Sequence, residues 1–197
     1  MHVPMTAPAQ TSSFTTKQKN PNLQLQPMGM HAAILYGIVN IGTQDGEYQG
    51  KPVVSNKIKF FFEFPEHKQI MYVDDTVAKP NSLIIDFTYS ISKSKAQKKS
   101  KLLSFIEGIY GPLPENQYLT FDISQLLDQK FFVTVAHYQK GDGTIAAKIT
   151  AVSPFNPQFK DPNSIVRTND LMIYDIAQGF QTESFAKLWY FLREDIK

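Results

Sequence analysis

The stretch ISKSKAQKKSKLLSFIEGIYG, residues 91–111, decides the fold because it joins a strand pattern to a helix pattern in the middle of the chain. From Leu102 to Ile109 apolar residues recur at helical spacing, and Gly111 followed by Pro112 ends that helix. The preceding KSKAQKKSK holds five lysines and no acid. The stretch therefore predicts a basic segment followed by an amphipathic helix that covers an apolar opening.

Alternating strands precede this stretch. HAAILYGIVNIG (31–42) predicts a first strand, and the glycine-containing TQDGEYQGK predicts the hairpin connection after it. KIKFFFEF (57–64) predicts the second strand and SLIIDFTYSIS (82–92) the third, with a long loop from 65 to 81 between them. The apolar faces of these two strands consist of Ile58, Phe60, Phe62 and Phe64, and of Leu83, Ile85, Phe87, Tyr89 and Ile91.

A second hairpin follows the helix. FDISQLL (121–127) predicts a short helix capped by Asp122 or Ser124. KFFVTVAHYQ and TIAAKITAVSPF predict two strands joined by a turn that contains Gly141 and Gly143. The closing ESFAKLWYFLREDIK has the spacing of an amphipathic helix.

This order predicts a mainly β protein: a five-stranded OB-fold barrel with a helix between strands 3 and 4 and a C-terminal helix. We expect a disordered, weakly basic arm at 1–28, because it is rich in Thr, Ser, Gln and Pro and has no acid. The OB-fold nucleic-acid-binding domain is expected at 29–155. A C-terminal extension ending in the amphipathic helix is expected at 156–197.

Composition narrows the classes of function. The formal net charge is only +2, so attraction to a polyanion requires clustered cations. The chain has no cysteine, which excludes disulfides and thiolate metal sites and fits a reducing compartment. It has neither an apolar run of membrane-spanning length nor a hydrophobic signal core, so we expect a soluble, cytoplasmic protein that does not bind membranes.

Residue types argue against an enzyme. The four histidines, His2, His31, His67 and His137, are far apart in sequence and lack metal-ligand spacing. The acidic pairs Asp74–Asp75 and Glu194–Asp195 could hold Mg²⁺, but adjacent acids are usually solvated surface. No GxxxxGK[ST] or GxGxxG motif occurs. We expect no catalysis, no metal and no cofactor.

Lysines and aromatic residues point instead to a single nucleic-acid strand, because rings stack on bases while ammonium groups neutralise phosphates. The second and third strands of an OB barrel offer such a face. The candidate DNA-binding residues are Tyr36, Lys57, Lys59, Phe61, Lys93, Lys95, Lys98, Lys99, Lys101, Phe132, Tyr138, Lys140 and Lys148.

Each kind of candidate also has a purely structural explanation. The clustered lysines could be the solvated start of a helix, although cations there oppose the helix dipole. Lys57 and Lys59 could protect a strand edge from aggregation. Tyr36 could be buried, since a first strand can be covered on both sides. Phe61 is the best stacking candidate, because an aromatic ring on the polar face of its strand is otherwise unexpected.

The chain resembles the bacteriophage-encoded OB-fold single-stranded DNA-binding proteins. The resemblance rests, in order, on VNIGTQ, FFFEFP, ISKSKAQKKSKLLSFIEGIYG, FDISQLLDQKFFVTVAH and AAKITAVSPF, which cover most of residues 31–155, and on the closing SFAKLWYFLREDIK. It implies a non-catalytic accessory of phage DNA replication or recombination that coats single strands without base preference in the host cytoplasm. Replication or recombination proteins would be its further partners.

A different class of protein fits the same pattern. An OB-fold adaptor or structural module would bind another protein and use its lysines for solubility only. The apolar residues of the last helix occupy more than one side, so it could dock on its own barrel or on a second copy in a homo-oligomer.

Overall fold

The computed structural model of the chain describes residues 18–89, 100–114, 117, 120–188, 192 and 196. These residues form a mainly β structure, as predicted, and one helix lies between the third and fourth strands along the chain. The strands are β1 (Gly29–Tyr48), β2 (Lys51–Gln69), β3 (Lys79–Tyr89), β4 (Lys130–Gln139), β5 (Ile145–Pro154) and β6 (Met172–Asp175). The helices are α1 (Lys101–Tyr110) and α2 (Thr182–Lys187), with 3₁₀ helices at Ile123–Leu126, Pro162–Ser164 and Ile176–Gln178.

The first five strands pair antiparallel in the order β3-β2-β1-β4-β5, and β6 pairs in parallel with β1. β3 and β5, at the two ends of this order, approach within 8 Å between Cα atoms. No ladder of hydrogen bonds joins them in the described part of the chain, so the sheet is open and the predicted closed barrel does not form. A groove lined partly by charged side chains lies between them, where closure would require paired backbones.

The inner face of the sheet holds the main core. Phe60, Phe62 and Phe64 alternate along β2 and are fully buried, as the period-two pattern predicts. Helix α1 packs Leu102 and Ile106 against them. Its ends agree with the sequence signals: the Ser100 hydroxyl accepts a hydrogen bond from the Leu103 N–H, and Gly111 ends the helix at φ 80°.

The opposite face of β1 and β2 carries a second core, which sequence did not predict. Here Val39 and Phe61 pack under Tyr174 of β6 and under Leu188 and Leu192, near α2. We call residues 165–192 the C-terminal cover, without the undescribed positions 189–191. Among the described residues of the predicted long amphipathic helix, Thr182–Lys187 and Leu192 are helical.

Specific polar contacts and one close approach hold the C-terminal cover. The Glu63 carboxylate, fully buried on β2, accepts hydrogen bonds from the backbone N–H groups of Thr168 and Asn169, at 2.7 and 2.9 Å, and from the Asn169 amide. A Cβ at Gly37 would lie 3.1 Å from the Phe61 Cβ and 2.8 Å from the Met172 Cε, so a larger residue here would require Phe61 and the end of the Met172 side chain to shift.

The expected N-terminal arm at 1–28 divides into two parts. Residues 1–17 lie outside the described residues. Residues 18–28 contact the sheet instead of standing free of it: the Asn20 N–H donates to the Met71 carbonyl at 3.0 Å, and Gln26 is buried and accepts from the Asn81 amide at 3.1 Å. Within the described ranges, every helix is too short or too polar to cross a lipid bilayer.

Candidate nucleic-acid interface

The groove between β3 and β5, about 570 Å³ in volume, brings three of the predicted lysines together. Lys59 comes from β2, Lys101 from the first turn of α1, and Lys148 from β5. We call it the lysine groove, and it is completed by Ile84, Ile85, Asp86, Phe87, Ile149 and Thr150. Three ammonium groups and one carboxylate line it, so its formal charge is positive.

The cation of Lys59 is shared with a neighbouring acid. Lys59 and Asp86 are opposite each other in the β2–β3 ladder, and the Nζ lies 3.2 Å from each carboxylate oxygen of Asp86. An anion at Lys59 would have to share that nitrogen with Asp86. Within the described residues, Lys101 and Lys148 have no ion pair, so these two are the groove cations most available to a ligand.

Tyr138 and Lys148 form a unit on the β4–β5 hairpin. The Lys148 Nζ lies 5.1 Å from the centroid of the Tyr138 ring, within the range of a cation–π contact. The Tyr138 side chain is exposed, and Lys148 also lines the lysine groove. An exposed ring beside a groove cation is the arrangement that stacking on a base combined with phosphate contact requires.

The predicted stacking role of Phe61 is wrong for this conformation. Phe61 does lie on the face opposite Phe60 and Phe62, but that face is covered: its exposed fraction is 0%, and Tyr174, Leu188 and Leu192 pack in the same cluster. No nucleobase can reach the ring while the C-terminal cover is in place. The exposed aromatic face expected on strand two is instead part of a core.

Tyr36 is buried for the same reason. Its ring packs edge-on against Phe61 at 6.2 Å between centroids, and its hydroxyl is 2.8 Å from the Ser82 Oγ. Burial raises the pKa of the Tyr36 phenol to about 12, an effect that the Ser82 hydrogen bond partly offsets. The position is structural, which is the alternative that the sequence left open.

Phe132 is also nearly covered, with 7% of its surface exposed. Its ring stacks on Phe155 at 5.0 Å and meets the edge of Phe159 at 6.3 Å. Phe159 itself is 75% exposed. The accessible ring in this region is therefore Phe159, which the sequence did not single out because it follows the strand in an irregular segment.

The remaining predicted residues do not all join the groove. Lys57 is half-buried on β2, and Lys140 is exposed at the end of the β4–β5 hairpin; neither lines it. Lys93, Lys95, Lys98 and Lys99 lie outside the described residues.

Two histidines that are distant in sequence are neighbours in the fold. The His67 Nε2 lies 3.2 Å from the His31 Nδ1, and the other nitrogen of His31 is 2.8 Å from the Pro27 carbonyl oxygen. Burial, followed by the like charge of His31, lowers the pKa of His67. Within the described residues, no three His, Asp or Glu side chains are grouped so that they could hold a metal ion.

Asp86 was missed by the sequence analysis. Alternation along β3 carries the signal, because Asp86 lies on the same face as Ile84, and the β2–β3 register places that face beside Lys59.

Comparisons with protein-family models, with curated proteins and with solved structures found no match to this chain.

Proposed function

We propose that this protein binds single-stranded DNA without base preference, with the lysine groove as the phosphate-binding site. The observation that carries the proposal is convergence: lysines from β2, α1 and β5, far apart in sequence, meet in one groove with a single carboxylate. Gathering like charges is unfavourable unless a counter-charge compensates it. A sugar-phosphate backbone supplies that counter-charge.

The proposed scaffold is an open variant of the OB fold. The strand order β3-β2-β1-β4-β5 agrees with a five-stranded barrel opened between β3 and β5, and α1 lies between β3 and β4 in the chain, as that fold requires. In this proposal the gap between β3 and β5 is the binding groove itself. The aromatic face of strands two and three has no part in binding, since the C-terminal cover occupies it.

Two further features favour a bound polyanion. Lys101 is the first residue of α1, and the first turn of that helix has no acidic residue, so the positive end of the helix dipole adds to the lysine charges. Tyr138, beside Lys148, supplies a ring on which a base can stack.

The biological role follows from the resemblance to the phage proteins. In this proposal the chain is an accessory of phage DNA replication or recombination that protects transiently unpaired strands. Its chemistry requires no catalytic group.

The test is retention of oligo(dT) across a salt series. Binding should weaken steeply with salt, with a log–log slope of about −0.7 per phosphate contacted. Lys101→Ala and Lys148→Ala should each weaken binding and reduce the steepness of that slope by about 0.7. Lys79→Ala is the matched control, because Lys79 is exposed at the start of β3 and does not line the groove.

Two results would count against the proposal. Failure to retain oligo(dT) at low salt would remove it and leave the protein-binding adaptor as the remaining interpretation. If Lys79→Ala reduced the slope as much as Lys148→Ala did, binding would follow overall charge and the groove would not be the site.

A further inference from the structure

At one end of the outer face of the β4–β5 hairpin, Ile165 of the C-terminal cover packs in a cluster with Phe132, and at the other end Tyr138 is exposed. On β4 this face carries Phe132, Thr134, Ala136 and Tyr138, and on β5 it carries Ala146, Lys148, Ala151 and Ser153. Between Phe132 and Tyr138 this face of β4 carries Thr134 and Ala136, which are opposite Ala151 and Lys148 of β5. Phe159 lies against Phe132 at one end, and Tyr138 marks the other.

The stretch of β4 from Phe132, which Phe159 contacts, to Tyr138 has a length that suits an extended ligand. Phe132 and Tyr138 are six residues apart on one strand, which corresponds to about 20 Å at roughly 3.4 Å per residue. Phe159 is 75% exposed and Tyr138 39% exposed. Both side chains are therefore accessible to planar groups from solvent.

The charge of this region favours nucleic acid over a typical protein partner. From Lys130 to Lys160 the sequence contains a single acid, Asp142, which lies in the hairpin turn, and four lysines, of which Lys160 pairs with Glu66. Lys148 belongs both to this face and to the lysine groove, so the two surfaces are continuous. A strand whose phosphates lie in the groove can therefore place its bases over this face.

We infer that the outer face of the β4–β5 hairpin stacks unpaired nucleobases, with Phe159 and Tyr138 as its two stacking residues. The inference rests on the proposed function and deepens it by assigning base contact to a surface other than the covered one. Because stacking uses the π-face that every base has, this surface gives affinity without sequence preference.

The experiment compares two ligands of equal length: oligo(dT) longer than about 16 nucleotides, the upper site size of one such domain, and an abasic strand with the same backbone. Phe159→Ala should weaken oligo(dT) binding roughly 5- to 100-fold and leave binding of the abasic strand unchanged. Phe159→Tyr should restore oligo(dT) binding. Phe180→Ala is the control, because Phe180 is 61% exposed but packs on Phe185, away from this face.

The outcomes separate the two proposals. If Phe159→Ala leaves oligo(dT) binding within about twofold of the unaltered protein while the salt slope persists, the stacking surface is wrong and the phosphate groove stands. Equal weakening of both ligands would also overturn the inference, since it shows an effect on the fold or on phosphate contacts. If the unaltered protein binds neither ligand, the proposed function fails, and the exposed rings then belong to a protein-binding surface.

Discussion

Glu63 is the residue on which attachment of the C-terminal cover most depends. Its carboxylate has no exposed surface and accepts three hydrogen bonds from Thr168 and Asn169, which lie more than 100 residues later in the chain. A buried carboxylate is tolerated only where donors replace its hydration. The donors here are largely backbone N–H groups, so the geometry depends little on the identity of residues 168 and 169.

We predict that Glu63→Gln destabilises the protein by about 2–3 kcal/mol, because one acceptor oxygen becomes an NH₂ group that faces N–H donors. Urea unfolding at neutral pH measures this change. Glu66→Gln is the control: Glu66 is exposed on the same strand and pairs with Lys160, so it should change the free energy of unfolding by less than about 1 kcal/mol. Equal effects of the two substitutions would contradict this role for Glu63.

Single residues also show the limit of sequence interpretation. Alternation along β2 correctly assigned Phe60, Phe62 and Phe64 to one face and Phe61 to the other. It could not reveal that the second face is covered, because the covering residues are far away in sequence. Alternation along a strand shows which face of the sheet a residue occupies, but only tertiary contacts show whether that face is covered.

At the scale of elements, local signals predicted the structure well. The second hairpin, helix α1 and the short helix after Asp122 agree with their turn and capping residues. The first hairpin forms too, but its strands extend through most of the predicted connection, to Tyr48 and from Lys51. The four-residue strand β6 was not predicted. Its sequence MIYD is too short to show a periodicity. It also pairs in parallel with β1, so no hairpin turn in the sequence indicates the pairing.

The cover should behave as an integral part of the fold. Leu188 is 3% exposed in the second core, and we predict that Leu188→Ala destabilises the protein by about 2–5 kcal/mol because a cavity forms beneath it. Leu171→Ala removes the same atoms from a side chain that is 47% exposed and should cost less than about 1 kcal/mol. Thermal or urea unfolding of the Leu188→Ala and Leu171→Ala variants measures these changes. Similar losses in the free energy of unfolding would show that the cover is only loosely attached.

At the scale of the whole molecule, two cores share one sheet. The inner core lies under α1 and the outer core under the C-terminal cover, and β1 and β2 contribute to both. Sequence predicted the first core. It assigned the second core's face to ligand, since the covering segment reads as a separate extension.

The stability of the protein at alkaline pH depends on Tyr36, a buried residue of this second core. The folded pKa of Tyr36 is raised to about 12, so between about pH 10 and pH 12 the unfolded chain loses the phenol proton that the folded protein keeps. The unfolded state then binds fewer protons, and the free energy of unfolding falls as pH rises. We predict that the free energy of unfolding falls less between about pH 10 and pH 12 in Tyr36→Phe than in the unaltered protein.

Urea unfolding at pH 9 and at pH 11 measures that difference. The comparison is between the two proteins at each pH, because lysines titrate in both. Phe at position 36 has no proton to lose but also loses the Ser82 hydrogen bond, so its stability at pH 9 sets the baseline. Identical pH dependence in the two proteins would show that Tyr36 is not shielded as described.

The parallel pairing of β1 with β6 has a consequence for synthesis. Gly37 of β1 is aligned with Met172, so on the ribosome the outer side of β1 and β2 stays unprotected until more than 130 further residues have been made. Until then the nascent chain exposes Val39, Ile41 and Phe61 to solvent, and such an apolar surface promotes aggregation between nascent copies. Slow translation of the last segment would therefore lower the yield of native protein more than slow translation of the first hairpin.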